Sequence, residues 1–190
     1  MKYLIIYAHP NPQSFNHAIK DRVEAKLKKE KKKYSVRELY AIEWNPVLGG
    51  ADFEVMQGGK TPDDIKTEQK YIKEAEVLIV IHPIWWFGMP AVLKGYIDRV
   101  FSYGFAYEVG PEGIKGLLSD KKVVIINTTG GTQENYLKFG FKDALENIFK
   151  NGIYEFCAMK VILHRFFYAV PAISPEAREN MLAEIDGMKF

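Results

Sequence analysis

Cysteine is nearly absent from this chain of 190 residues. The single thiol, Cys157, excludes an internal disulfide and every multi-cysteine zinc pattern, and it suits a reducing cytoplasm. An excess of one charge is missing too: 26 Lys and Arg against 24 Asp and Glu leave a net charge of +2. That balance supplies no global field of the kind that draws a chain to nucleic acid or to an anionic membrane. No apolar run reaches the ~18 residues that span a bilayer, and the run at 3–8 behind Met1-Lys2 is too short for the apolar part of a signal peptide, so a cytoplasmic protein without stable membrane insertion is expected. The histidines, His9, His17, His82 and His164, lack metal-ligand spacing, and no metal is expected. No G-x-G-x-x-G follows the first apolar run and no G-x-S-x-G occurs anywhere, which removes the Rossmann dinucleotide fingerprint and the nucleophile elbow. Gln57-Gly58-Gly59-Lys60-Thr61 has the look of a P-loop end, but Glu54 stands at the required first glycine and no strand precedes it.

What is present is a large apolar share, 47%, enough for the core of one domain spanning residues 1–190. Near-continuous apolar, β-rich runs lie at 3–8, 77–81, 123–126 and 160–163, the last preceded by Phe156 and Met159. Strands of this kind belong to a sheet covered on both faces. Between them stand helical patterns: Phe15, Ile19, Val23 and Leu27; Ile65, Gln69 and Ile72; Leu93, Tyr96, Ile97 and Val100; Ala144, Leu145 and Ile148. Thr61 before Pro62 and Ser174 before Pro175 read as caps followed by proline at the first helical position. The stretch 44–60, with four glycines, reads as a long loop. The basic tract Lys26 to Lys33 reads as a solvated helix end, its lysines complementing the helix dipole. Alternating β and α elements, with 35–39 as an edge strand, predict an α/β fold: three layers around a doubly wound, five-stranded parallel sheet in the flavodoxin-like order 2-1-3-4-5.

In such a sheet, ligands bind beyond the carboxyl ends of the strands near the switch point between strands one and three. Three loops lie there. The first, His9-Pro10-Asn11-Pro12-Gln13-Ser14-Phe15-Asn16-His17-Ala18, opens a helix at Ser14 whose free N–H groups suit a phosphate, or it is an ordinary turn with Ser14 as the cap. The second, His82-Pro83-Ile84-Trp85-Trp86-Phe87-Gly88-Met89-Pro90, sets bulky aromatics where a flat ring system would stack; they equally suit a core cover or a dimer interface. The third, Asn127-Thr128-Thr129-Gly130-Gly131-Thr132-Gln133, offers backbone and hydroxyl donors to the polar edge of an isoalloxazine, or is a plain Gly-Gly turn.

Taken together, HPNPQSFNHA, HPIWWFGMPAVLKGYIDRVFSYGFAY and NTTGG resemble the NAD(P)H:quinone oxidoreductase (DT-diaphorase) family, whose fold is flavodoxin-like, over most of residues 1–160. The resemblance implies an NAD(P)H dehydrogenase (quinone) with a flavin, FAD or FMN. His9, Ser14, Phe15, Asn16 and Ala18 would hold the flavin's phosphate and ribityl part, with Gln69 touching the cofactor. Pro83, Ile84, Trp85, Trp86 and Phe87 would line the ring, and Thr128, Thr129, Gly130 and Gly131 would bind its polar edge. Tyr136 matches the family's tyrosine near O2 of the reduced flavin and Lys142 stands where the family has a histidine; the resemblance makes these two the catalytic candidates, the pair of a proton relay, with Tyr136 also touching the cofactor. A homodimer with the active site at the interface is implied, Phe105 and Tyr107 forming a substrate wall whose next tyrosine appears as Val109. The chain ends at Phe190 and lacks the C-terminal extension of the longest members, which weakens an inference of FAD over FMN. The implied reaction is a ping-pong cycle, hydride passing from NAD(P)H to flavin N5 and then to a quinone-like acceptor. Two other roles share the fold: an electron carrier like flavodoxin, for which the acidic face and hydroxyl-glycine phosphate loop are missing, and an accessory flavoprotein of a potassium efflux system docking through Lys26 to Lys33.

Overall fold

The computed structural model describes residues 1–55 and 59–190; Gln57 and Gly58 of the P-loop-like string lie outside the described residues. Its elements in chain order are β1 (Lys2–Tyr7), α1 (Phe15–Lys29), β2 (Lys33–Glu38), α2 (Gly50–Glu54), α3 (Asp63–Glu74), β3 (Val77–Pro83) and α4 (Ala91–Val100). They continue with β4 (Tyr107–Gly110), β5 (Gly113–Gly116), β6 (Lys122–Thr128), α5 (Gln133–Lys138), α6 (Phe141–Phe149), β7 (Lys160–Phe167) and α7 (Pro175–Gly187). The main sheet runs β2-β1-β3-β6-β7, every pairing parallel. This is the expected 2-1-3-4-5 order, because β4 and β5 form a separate antiparallel hairpin.

Burial explains why the strands read as continuous apolar runs. Every residue of β3 is buried, and alternate side chains of β1 serve opposite layers. Leu4 and Ile6 join Ile65, Leu93, Tyr96, Leu145 and Phe149 on one face, while Tyr3, Ile5 and Tyr7 join Ile19, Val23, Leu27 and Ile185 on the other. Each buried aliphatic side chain contributes about 1.5–3 kcal/mol, so a polar residue in β3 needs a partner within the core.

Several elements depart from expectation for local reasons. The helical pattern at Ala144, Leu145 and Ile148 falls on α6, which a turn at Gly140, φ 68, separates from the short α5 before it. The buried stripe of α6 is Leu145 with Phe149. Ile148, expected on that stripe, faces out, and so does Ala144. Pro62, not Thr61, occupies the cap position of α3, and no side chain caps it. At α7 the expected cap holds, the Ser174 hydroxyl accepting the Ala177 N–H at 3.1 Å. The 44–60 stretch is not all loop: α2 lies within it, and buried Arg99 of α4 ties it down through Asp52 at 2.9 Å and the Asn45 carbonyl at 2.9 Å. Lys26 lies against α7, donating to the Asp186 carbonyl at 2.8 Å, so the basic tract is only partly solvated.

Candidate active site

The carboxyl ends of β1, β3 and β6 converge on a cleft of about 450 Å³ lined by His9, Ser14, Phe15, Asn16, Pro83, Ile84, Trp85, Trp86, Thr128, Thr129 and Gly130, with Val170 and Pro171. Its first wall is the loop after β1. The Asn11 side chain accepts the Gln13 N–H at 2.8 Å, the Asn11 carbonyl accepts the Ser14 N–H at 3.1 Å, and the His9 ring accepts the Asn11 N–H at its Nδ1, 3.1 Å away. That acceptance places the proton of a neutral His9 on Nε2. Burial holds the His9 pKa below its usual value. Ser14 caps α1 by accepting the His17 N–H at 3.1 Å, and Tyr7 Oη lies 3.3 Å from the same hydroxyl. Two turns of bonding thus preorganise the start of α1, whose orphan N–H groups carry the positive end of the helix dipole.

The second wall is the turn after β3. Trp85 and Gly88 exchange reciprocal backbone hydrogen bonds at 3.0 Å, and the two residues between them adopt left-handed backbone, Trp86 at φ 50 and Phe87 at φ 54. Two consecutive aromatic residues in that region cost about 1–2 kcal/mol each, a strain that persists where structure over-determines it and that concentrates at functional sites. The turn leaves Trp86 99% exposed and rests Trp85 near His9, ring centroids 5.5 Å apart.

The third wall is the loop after β6. Thr129 Oγ1 donates to the Gly131 carbonyl at 2.8 Å, and Thr129 N–H reaches the Phe167 carbonyl at 2.9 Å. A Cβ at Gly130 would meet nothing within 4 Å, so its backbone is open on that side, whereas one at Gly131 would lie 3.0 Å from the Tyr136 ring. Asn16 bridges the first wall to this one, its amide donating to Thr128 Oγ1 at 2.8 Å. Its Oδ1 is buried and has no partner among the described residues, an acceptor left over at the edge of the cleft.

The fold agrees with the comparisons. A family described as having a flavodoxin-like fold matches residues 1–187. An uncharacterized NAD(P)H oxidoreductase of Haemophilus influenzae is 34% identical over 96% of this chain and 91% of its own length. Human ribosyldihydronicotinamide dehydrogenase [quinone] is 33% identical over 96% of this chain and 87% of its own. Among solved structures, the NAD(P)H:quinone oxidoreductase of Methanothermobacter marburgensis superposes with a TM-score of 0.89 at 26% identity, covering 98% of this chain and 94% of that one. The chain belongs to the flavodoxin-like NAD(P)H:quinone oxidoreductase family.

Several residues that the family resemblance singles out stand apart from the cleft. Ala18 is half-buried in the second turn of α1, its N–H bonded to the Ser14 carbonyl at 3.1 Å. Gln69 is buried on α3 and spends its amide on the Val100 carbonyl and the Ser102 hydroxyl, each at 3.1 Å. Phe87 packs on Phe141, with centroids 4.1 Å apart. Tyr136 is buried between Gly131 and the rings of Phe87, Phe141 and Tyr168. Burial raises the Tyr136 pKa, so its hydroxyl stays protonated at neutral pH. Lys142 lies on α6, across the Gly140 break from Tyr136, and pairs with Glu146 at 2.8 Å and Asp143 at 3.9 Å. The Glu146 bond raises its pKa. Phe105 is buried under Lys73, and Tyr107 lines a separate cavity of about 330 Å³ with Phe101, Phe156 and Cys157. Val170 and Pro171 are cleft residues that the sequence reading missed. They follow β7, and Val170 N–H bonds the Thr129 carbonyl at 3.0 Å; the rule that sites gather at carboxyl strand ends applied to this fourth loop as well.

Beneath the cleft lies a polar cluster inside the core. His82 and Asn127 are fully buried, and Asn127 stands between the rings of His82, 3.0 Å from its amide nitrogen, and His164, 2.7 Å from its amide oxygen. Burial pushes the His82 pKa down to about 4 and that of His164 to about 3, the latter helped by His82 and by the Lys142 charge. Among the described residues there is no group of His, Cys, Asp and Glu that could hold a metal, and no helix long and apolar enough to cross a membrane.

Proposed function

We propose that this chain is a flavin-dependent NAD(P)H dehydrogenase (quinone), an enzyme that moves two electrons from NAD(P)H to a quinone-like acceptor in a ping-pong cycle. The observation that carries the reading is the convergence, in one cleft, of the open N-terminus of α1, the aromatic turn at Trp85 and Trp86, and the donor-rich Thr128–Gly130 backbone. The names of the relatives supply the activity and the donor. The residues fit a flavin: the orphaned Asn16 Oδ1 awaits a donor, and the open face of Gly130 admits a ligand to the backbone.

His9, Ser14, Phe15 and Asn16 would hold the phosphate and ribityl part, whose hydroxyls can supply the donor that Asn16 Oδ1 lacks, with Ala18 supporting them from the next turn of α1. Pro83, Ile84, Trp85 and Trp86 would flank the ring, Phe87 bracing their turn against Phe141 from outside the cleft, and Thr128, Thr129, Gly130 and Gly131 would face its polar edge. A bound flavin supplies the centre that accepts and returns hydride. The protein's part is stacking for orientation, exclusion of water by the aromatic turn, and fixed donors where negative charge gathers. Tyr136, kept protonated by burial, backs that edge through Gly131. Lys142 acts only through its field, because Glu146 already holds its ammonium. We further place the active site across a homodimer. Phe105 and Tyr107 do not reach the cleft of their own chain, and Trp86, Phe87, Val109 and Ile114 leave an apolar surface exposed for a second copy.

Purified protein should carry flavin absorption bands, and mass analysis of the released cofactor identifies FAD or FMN. Those bands should bleach anaerobically with NADH or NADPH and return on addition of a simple quinone. A colourless protein that takes up neither added flavin overturns the proposal. Flavin that binds but resists NAD(P)H leaves a carrier instead.

A further inference from the structure

The buried cluster under the cleft has a direction, and it can be read from hydrogen-bonding rules. The Pro83 carbonyl can only accept, so His82 Nδ1, 2.9 Å away, carries a proton. In a neutral ring His82 Nε2 is then an acceptor, and the Asn127 group facing it at 3.0 Å must be the amide nitrogen, which also donates to the His82 carbonyl at 3.2 Å. That turns the Asn127 oxygen toward His164, whose Nε2 at 2.7 Å must be the donor. The bonds therefore run one way, from His164 through Asn127 and His82 to the Pro83 carbonyl. His164 Nδ1 ends the chain as a buried atom without a partner among the described residues.

The chain crosses three neighbouring strands, from His164 within β7 to the carboxyl ends of β6 and β3. There Asn127 and His82 each stand beside a cleft wall. Pro83 lines the cleft, and the next peptide N–H, that of Ile84, is held by the Thr128 carbonyl at 2.8 Å. Asn127 immediately precedes Thr128, which accepts from Asn16. Beyond these residues the backbone ladder stops and the aromatic turn and glycine loop begin.

We propose that His82, Asn127 and His164 are positioning residues: their one-way hydrogen-bond chain sets the Pro83–Trp85 wall and the Thr128–Gly130 wall at fixed heights, so that the gap between them is formed before the flavin arrives. This rests on the flavin reading above. Three polar side chains beside a largely apolar core layer carry a burial cost that apolar residues of similar size would avoid, and the bonds joining them return it as geometric specificity.

The test has two independent parts. Long-range proton–nitrogen NMR of the flavin-free protein should show His82 protonated at Nδ1 and His164 at Nε2; the opposite tautomer at either ring overturns the chain. In titrations with FMN and with FAD, followed by flavin fluorescence, H164L and N127L should bind about tenfold more weakly while circular dichroism stays native. H164Q, which keeps an N–H donor at similar reach, should return to within about twofold of the original, since one hydrogen bond is at stake. If N127L does not fold, the H164L and H164Q pair decides. Equal binding by H164L and H164Q overturns the inference and leaves the flavin reading standing, whereas an unaltered protein that binds neither flavin removes that reading and, with it, the role assigned to the chain.

Discussion

Lowering pH from 7.5 to 5.5 should destabilise the fold by about 3 kcal/mol, and the buried imidazoles are the cause. An unfolded histidine titrates near 6.5, whereas burial holds His82 at about 4 and His164 at about 3. Below 6.5 the unfolded chain therefore binds protons that the native state refuses, and stability falls with pH wherever that holds. At pH 5.5 each imbalance is worth about 1.4 kcal/mol, and by pH 4 about 3 kcal/mol each. The total at pH 4, about 6 kcal/mol, rivals the 5–15 kcal/mol that holds an ordinary domain together. Mutual repulsion of the two rings does not enter at 5.5, because both are still neutral in the fold. His9, lowered by partial burial, acts in the same direction with a smaller share. Carboxylates paired in the native state, such as Asp52 with Arg99, act only at lower pH. Urea denaturation of the flavin-free protein at intervals between pH 7.5 and 5.5 measures the effect, and the double substitution H82F/H164F should flatten the slope. A change smaller than about 1 kcal/mol in the unsubstituted protein would show that the rings are charged or open to water, and would refute the argument.

Two further outcomes follow from packing and from charge. Gly95 of α4 leaves room for the 44–49 segment: a Cβ there would stand 2.0 Å from the Pro46 carbonyl oxygen, so G95A should lose about 1–3 kcal/mol by displacing backbone, read as a lowered urea midpoint with unchanged slope; an unaffected midpoint would mean that the segment does not pack on α4. K142M should keep FMN affinity and the rate of reduction by NAD(P)H within about twofold, because the Lys142 ammonium is engaged by Glu146 and a partly exposed ion pair of this kind is worth only about 1 kcal/mol; a tenfold loss in stopped-flow reduction would return Lys142 to the proton relay.

Much of the site was legible because it is local. Ser14 caps the helix that its own sequence begins, and the Trp85–Gly88 turn and the Thr128–Gly131 loop are each read within a few residues. The break at Gly140 was not legible, since a lone glycine in a helical pattern is usually tolerated and only its positive φ ends α5 here. The histidine cluster was missed for a different reason. His82, Asn127 and His164 are 45 and 37 residues apart in sequence, and their relation exists only once three strands lie side by side.

The sequence by itself determined the layering and the strand order, because apolar runs that alternate with helical stripes can bury both faces of a sheet in few ways and right-handed crossovers leave one arrangement. It also determined that the loops after β1, β3 and β6 reach the ligand edge. The tertiary structure alone decided what each side chain there is free to do: Gln69 is spent on the end of α4, Lys142 on Glu146, and Val170 and Pro171 are brought into the cleft. The physical reason is range. Periodicity and capping act within a turn or two of chain, whereas the hydrogen-bond partners of a buried polar atom are chosen by strands that meet only when the sheet has closed.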